Sequence, residues 1–118
     1  RLDDADLTEA NLSATRLSGA SLKWARLRLA NLTGTNLWAA NLSATDLKES
    51  NLERADLTGA DLTRANLKGT DLTGENLTNT DLTKATLEYA RNFDTADTTG
   101  AKFCKTIMPD GTTNNSGC

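Results

Sequence analysis

The chain has 118 residues, enough for one domain and one core. It is 37% hydrophobic and 25% charged, carries a net charge of -3 and has no histidine, which excludes histidine-dependent catalysis. No apolar run approaches the ~20 residues of a membrane span, and 19 leucines with one isoleucine and no valine exclude an ordinary mixed aliphatic core.

From Leu2 to Leu87 a leucine falls at every fifth residue, 18 in succession, and only Leu29 is out of phase. Over the 17 repeats centred on Leu7 to Leu87, the residue two before the leucine is Ala ten times, Thr five times and Ser once. Glu75 is the exception. The residue just before the leucine is Asn or Asp in 13 of the 17. Thr or Ser commonly follows it, then Gly or Ala.

Neither standard period accommodates this spacing. Five residues turn an α-helix by about 500°, so the leucines form no stripe. In a strand an odd step sends successive leucines to opposite faces. A short fixed repeat with one large and one small apolar position predicts a solenoid, in which stacking buries the core. The Asn or Asp between them points outward, at corners where it can bond nearby backbone. Gly19, Gly34, Gly59, Gly69 and Gly74 fall two after the leucine, where a turn with positive φ favours glycine.

The motif A(D/N)LT(G/x) resembles the pentapeptide-repeat family over residues 1 to about 103. The resemblance implies an all-β fold: a right-handed quadrilateral parallel β-helix of about five coils, with 20 residues per coil. After Leu87 the next large centre is Phe93, six residues on, and Phe103, Ala96 and Ala101 keep that shifted frame, with Thr98 in its middle slot. One inserted residue is therefore expected near 89–91. The chain divides into repeats over 1–103 and a C-terminal cap over 104–118.

In the cap, Ile107 and Met108 are the only bulky aliphatic residues beyond the repeats and are expected to plug the last coil. Met108-Pro109-Asp110-Gly111 places Pro and Gly where a type I turn favours them. Cys104 and Cys118 are the only cysteines. A disulfide between them would close a loop worth about 3 kcal/mol on the chain-entropy model. Two free thiols would instead need a reducing compartment, and zinc would find half of a usual ligand set. The F-C-x-T-x-x-P-D-G…C ending resembles cyanobacterial and plant-lumen members of the family. That resemblance implies a disulfide-closed cap and a periplasmic or thylakoid-lumen location, with cytoplasm as the alternative. The chain opens on Arg1 in mid-repeat without an initiator Met, as a trimmed or processed N-terminus would.

At 20 residues per coil, residues n and n+20 stack about 4.8 Å apart. One outward column then reads Thr8, Arg28, Lys48, Lys68 and Glu88, beside Asp6, Arg26, Asp46, Glu9 and Glu49. Arg28, Lys48 and Lys68 are candidates for an anionic partner, against the plainer reading of a solvated charge ladder. Another column holds Ser18, Trp38, Thr58 and Thr78, which makes Trp38 a candidate contact among small polar residues. Trp24, near Arg16 and Arg26, is a second candidate and could pack under an arginine. Glu75 falls in an inward slot over Ala55, where it must be neutral, flipped outward or hydrogen-bonded. Asp61 over Asp81 offers too few oxygens for a cation site.

No nucleophile accompanied by a base, no phosphate-binding glycine loop and no metal-ligand cluster is present. No catalytic residue, cofactor or metal is expected. The sequence reads as a non-enzymatic β-solenoid, a protein-interaction or structural module of unknown role, monomeric, with an unknown protein partner and no membrane insertion. Two or three phosphate contacts would give weak binding, so nucleic acid is disfavoured. The resemblance brings two alternatives, a DNA-mimicking gyrase binder, against which the net charge of -3 speaks, and a cytoplasmic regulatory binding protein.

Overall fold

The fold was obtained as a computed structural model, which describes residues 1–118. It is a β-helix solenoid held together by single-residue parallel bridges between stacked segments. Asp6 pairs with Arg26, Arg26 with Asp46 and Asp46 with Asn66, each step 20 residues long. Four tight turns lie between a residue and its partner. Each rung takes two hydrogen bonds, as where Leu7 N–H donates to Arg26 O at 2.8 Å and Arg26 N–H donates to Ala5 O at 2.9 Å. The principal extents are 32 × 22 × 21 Å.

The repeat builds this backbone locally. In each pentapeptide the N–H of the small residue bonds the carbonyl of the preceding leucine, as Ala10 does to Leu7 at 3.0 Å, closing a four-residue turn. The third turn residue, two after the leucine, has positive φ in all 18 repeats from residue 4 to residue 89. Glycine fills only five of these corners; the other thirteen hold side-chain-bearing residues, from Ala14 (φ 56) to Trp24 (φ 61) and Tyr89 (φ 62). That geometry is required by a type II turn and costs an L-residue about 1–2 kcal/mol.

The Asn or Asp before each leucine has a defined task. Its side-chain oxygen accepts the backbone N–H of the residue after the leucine, as Asp6 Oδ1 does from Thr8 at 3.1 Å and Asn36 Oδ1 from Trp38 at 3.0 Å. All 13 Asn and Asp residues at this position make the bond. The side chain thus caps a turn N–H that has no other backbone acceptor. At Ser21 the hydroxyl donates to Asp3 of the neighbouring coil, and Asp3 accepts the Lys23 N–H at 3.0 Å in its place.

The core is a column of leucines and small residues. Leu22, Leu42, Leu47, Leu52, Leu57, Leu62, Leu72, Leu82 and Leu87 are fully buried, with Ala25 and Ala85 beside them. Thr35, Thr45, Thr70 and Thr80 in the small slot are buried without loss, because each hydroxyl donates to a leucine carbonyl. Thr45 bonds Leu42 O at 2.7 Å and Thr80 bonds Leu57 O at 2.9 Å.

The register changes further along the chain than the repeat frame alone suggests. Asp71 still pairs with Arg91 at an offset of 20, and Asn76 pairs with Asp97 at 21. The extra residue therefore lies after Arg91, not at 89–91. Asn92 adopts the left-handed conformation (φ 61) ahead of a 3₁₀ turn, Phe93–Thr95. Its exposed side chain bonds outward to Thr73 Oγ1 at 2.9 Å, and Phe93 packs on the core in its place. The same offset of 21 then runs to the Thr86–Ile107 bridge, so the ladder passes beyond 103 and Tyr89 N–H reaches Pro109 O at 3.1 Å.

That register also corrects the plug. Ile107 occupies an outward bridge position, and the end of the core is closed by Phe93, Phe103 and Met108. The two phenyl rings meet edge to face, with centroids 6.3 Å apart and planes at 79°. Met108-Pro109-Asp110-Gly111 forms its turn, with Gly111 N–H on Met108 O at 2.9 Å. Strand β1 (Thr106–Ile107) pairs antiparallel with β2 (Thr113–Asn114), and a Cys104–Cys118 disulfide ties the tail back. No helix is long and apolar enough to cross a membrane.

Candidate functional site

The outward side chains stand in columns set by the ladder, so contacts between residues 20 apart decide the surface. In the basic column Lys68 Nζ lies 3.8 Å from Glu88 Oε1 and 5.3 Å from the Tyr89 ring centroid. Beside it, Arg26 reaches Asp6 at 3.5 Å. Arg28 and Lys48 make no ion pair. Lys68 is thus engaged within the molecule, and the free charge of the column reduces to Arg28 and Lys48.

Trp38 is 55% exposed, in the column of Ser18 and Thr58. Trp24 is 54% exposed at a left-handed corner. Its ring meets a cation, but not an arginine: Lys23 Nζ lies 4.4 Å from the ring centroid. The reason is local, since Lys23 is the adjacent turn residue and its stem can fold over the indole, whereas Arg26 is held toward Asp6. Trp38, Trp24 and the Arg28–Lys48–Lys68 column lie in three different columns and do not converge on one site.

One groove does converge residues, and sequence reasoning passed over most of them. Lys23, Trp24, Asn41, Ser43, Ala44, Asp61, Thr63 and Arg64 surround about 300 Å³. Trp24 and Arg64 stand two rungs apart in the corner column, and Ala44 between them leaves the notch. Asn41 and Asp61 are fixed by their turn caps to Ser43 (3.0 Å) and Thr63 (2.9 Å). The signal was available in the column Trp24-Ala44-Arg64, where a small residue lies between two long ones.

Glu75 takes the buried course. It is 1% exposed, and neither carboxyl oxygen has a hydrogen-bond partner. Desolvation, with a further push from the Asp56 charge, holds its pKa well above the ordinary carboxylate value, so burial favours its protonated form. The surface turn caps are shifted the other way. The hydroxyl and backbone N–H of Thr8 lower the Asp6 carboxyl, and those of Thr73 lower Asp71. No three His, Cys, Asp or Glu side chains gather in a group that could hold a metal ion.

A family model describing eight copies of the pentapeptide repeat matches residues 1–34, 25–64 and 60–91. The chain belongs to the pentapeptide-repeat family. Among solved structures, a thylakoid-lumen pentapeptide-repeat protein from Arabidopsis thaliana is 35% identical, over 89% of this pentapeptide-repeat chain and 69% of its own, with a TM-score of 0.52. A pentapeptide-repeat protein from Nostoc is also 35% identical, over 84% and 80% of the two chains, with a TM-score of 0.68. A plasmid-mediated fluoroquinolone-resistance protein, 17% identical over 89% of this chain and 59% of its own, shares the fold at a TM-score of 0.51. None of the curated proteins matches.

Proposed function

We propose that this pentapeptide-repeat protein is a non-enzymatic interaction or structural module, a monomeric right-handed quadrilateral rod of about five coils. Its working place is an oxidising compartment, the periplasm or the thylakoid lumen. The observation that carries the reading is the distribution of side chains. The interior is leucine, alanine and bonded threonine, with Ser50 and a lone Glu75 as its unpartnered polar side chains, while Trp38 and Trp24 stand more than half exposed on a polar exterior. Chemistry would need a nucleophile and base held together, whereas a binding surface needs anchors on a rigid scaffold. The Cys104–Cys118 bridge and the thylakoid-lumen location of the Arabidopsis protein support the compartment.

Affinity capture from lumenal or periplasmic fractions tests the reading, with wild type compared against Trp38→Ala and Arg28→Glu. The module reading expects at least one partner to be lost with a variant. Identical partner sets for all three proteins would remove Trp38 and Arg28 as contacts.

A further inference from the structure

We propose that the groove between Trp24 and Arg64 binds an acidic, extended peptide segment of a partner protein, with a carboxylate seated against Lys23 and Arg64. The inference rests on the interaction-module reading and names the partner chemistry for one surface.

Unpaired cations occur elsewhere on the exterior, but the groove brings two of them into one concave site beside an indole ring. The molecule's four ion pairs are Arg1–Asp3, Arg26–Asp6, Arg54–Glu53 and Lys68–Glu88. Lys23 and Arg64 are in none of them, although both line the same notch. The one carboxylate in the lining, Asp61, already gives one oxygen to the Thr63 N–H. Two cations therefore face one partly engaged acid, and an added carboxylate would complete the pairing. Arg64 supplies the fork that takes a carboxylate in two bonds.

The remaining lining matches a peptide more closely than a bare anion. In the equivalent rungs the Thr73 and Thr83 hydroxyls each donate to the preceding aspartate at 2.6 Å. Thr63 makes only the backbone bond to Asp61, which leaves its hydroxyl for a ligand. The second oxygen of Asp61 can accept a peptide N–H, and the Trp24 ring offers an apolar wall for a side-chain stem. A volume of about 300 Å³ admits one or two side chains, at the small end of ligand sites. Trp24 and Ala44 are the only apolar residues of the lining, so a purely apolar occupant has little to bury against.

The test is a proton–nitrogen NMR titration of the whole chain with an acetylated Phe-Glu-Leu-Glu amide, its Gln-for-Glu analogue and inorganic phosphate as separate probes. The acidic peptide should shift the Trp24 indole, Ala44 and Arg64 signals saturably and leave the Trp38 indole unmoved. Arg64→Gln and Lys23→Gln, both surface changes, should each weaken binding about tenfold, the loss of one charge-assisted contact. Added salt should weaken it as well. Equal binding of the Gln analogue, or no saturable shift, would overturn the proposal. So would phosphate acting on these signals while the peptide does not, which would mark a simple anion site. If capture depends on Trp38 or Arg28 and the peptide leaves the groove signals unmoved, the groove assignment fails and the module reading stands.

Discussion

At the scale of single residues, the molecule runs two opposed pH responses. Glu75 keeps its proton in the folded core but releases it above the ordinary value of 4.5 once the chain unfolds. The unfolded state then binds fewer protons, so this residue lowers stability as pH rises above 4.5. The capped aspartates act with the opposite sign. Asp6, Asp71 and Asp97 lie below the ordinary 3.8 when folded, so their contribution is present above 3.8 and is lost as pH falls through the folded values. Stability should therefore be greatest in mildly acidic solution. Glu75→Ala, which copies Ala55 in the same inward column, should stabilise the protein by about 1–2 kcal/mol near pH 4.5, by removing an unpartnered buried carboxyl, and by more at pH 8. Urea midpoints at the two pH values check this; parallel pH profiles for wild type and variant would contradict it.

At the scale of the turn, the thirteen corners without glycine hold backbone strain that the stack tolerates. Ala39 (φ 55) is exposed and Gly59 (φ 68) follows it in the same column, with nothing near its missing Cβ. Ala39→Gly relieves about 1–2 kcal/mol of left-handed strain and adds about 0.5–1 kcal/mol of chain entropy. A small rise in melting temperature is expected, and the reverse change, Gly59→Ala, should lower it. At the cap, Cys118→Ser should cost about 3 kcal/mol by releasing the closed loop. The loss should begin at the tail, where Gly117 N–H bonds Phe103 O at 2.7 Å and Asn115 Oδ1 takes the Lys105 N–H at 2.8 Å. Hydrogen exchange that accelerates at Gly117 and Ile107 before Leu47 is the expected pattern.

For the whole molecule, stability is a sum of neighbouring contacts, because each coil touches only those above and below it. A fault in the middle therefore splits the stack. Leu47 is fully buried at mid-chain, and Leu47→Asp places a carboxylate among leucines with no cation to meet it. Loss of the cooperative unfolding transition in circular dichroism is the expected result; a normal transition would mean the coil there can open without cost. The ends behave differently. Leu2, Leu7, Leu12 and Leu17 at the N-terminal end are only partly buried, whereas Leu82 and Leu87 lie fully buried beneath the phenylalanine and methionine closure.

Much of this was legible because the repeat converts position into direction. A leucine every five residues, with a small residue two before it, assigns inside and outside for every pentapeptide, whatever the rest of the chain does. The low aliphatic diversity of the composition, which alone suggests a weak core, becomes an adequate core once periodicity is counted. The shifted frame set Phe93 inward from sequence, but the position of the extra residue was less legible. Only closure of the ladder shows that it falls after Arg91, where Asn92 turns out to Thr73. Ile107 was misplaced for the same reason, since the shifted frame had to be carried through the cap before its direction was set. The sequence by itself determined the repeat, the inward leucine and small-residue columns and the one possible cysteine pair. Tertiary structure alone decided which surface residues meet: Lys23 over Trp24, Arg64 across from them and Asn92 on Thr73. These contacts depend on the reach of flexible side chains and, in two of the three, on rungs some twenty or forty residues apart in sequence, and neither is written in a five-residue motif.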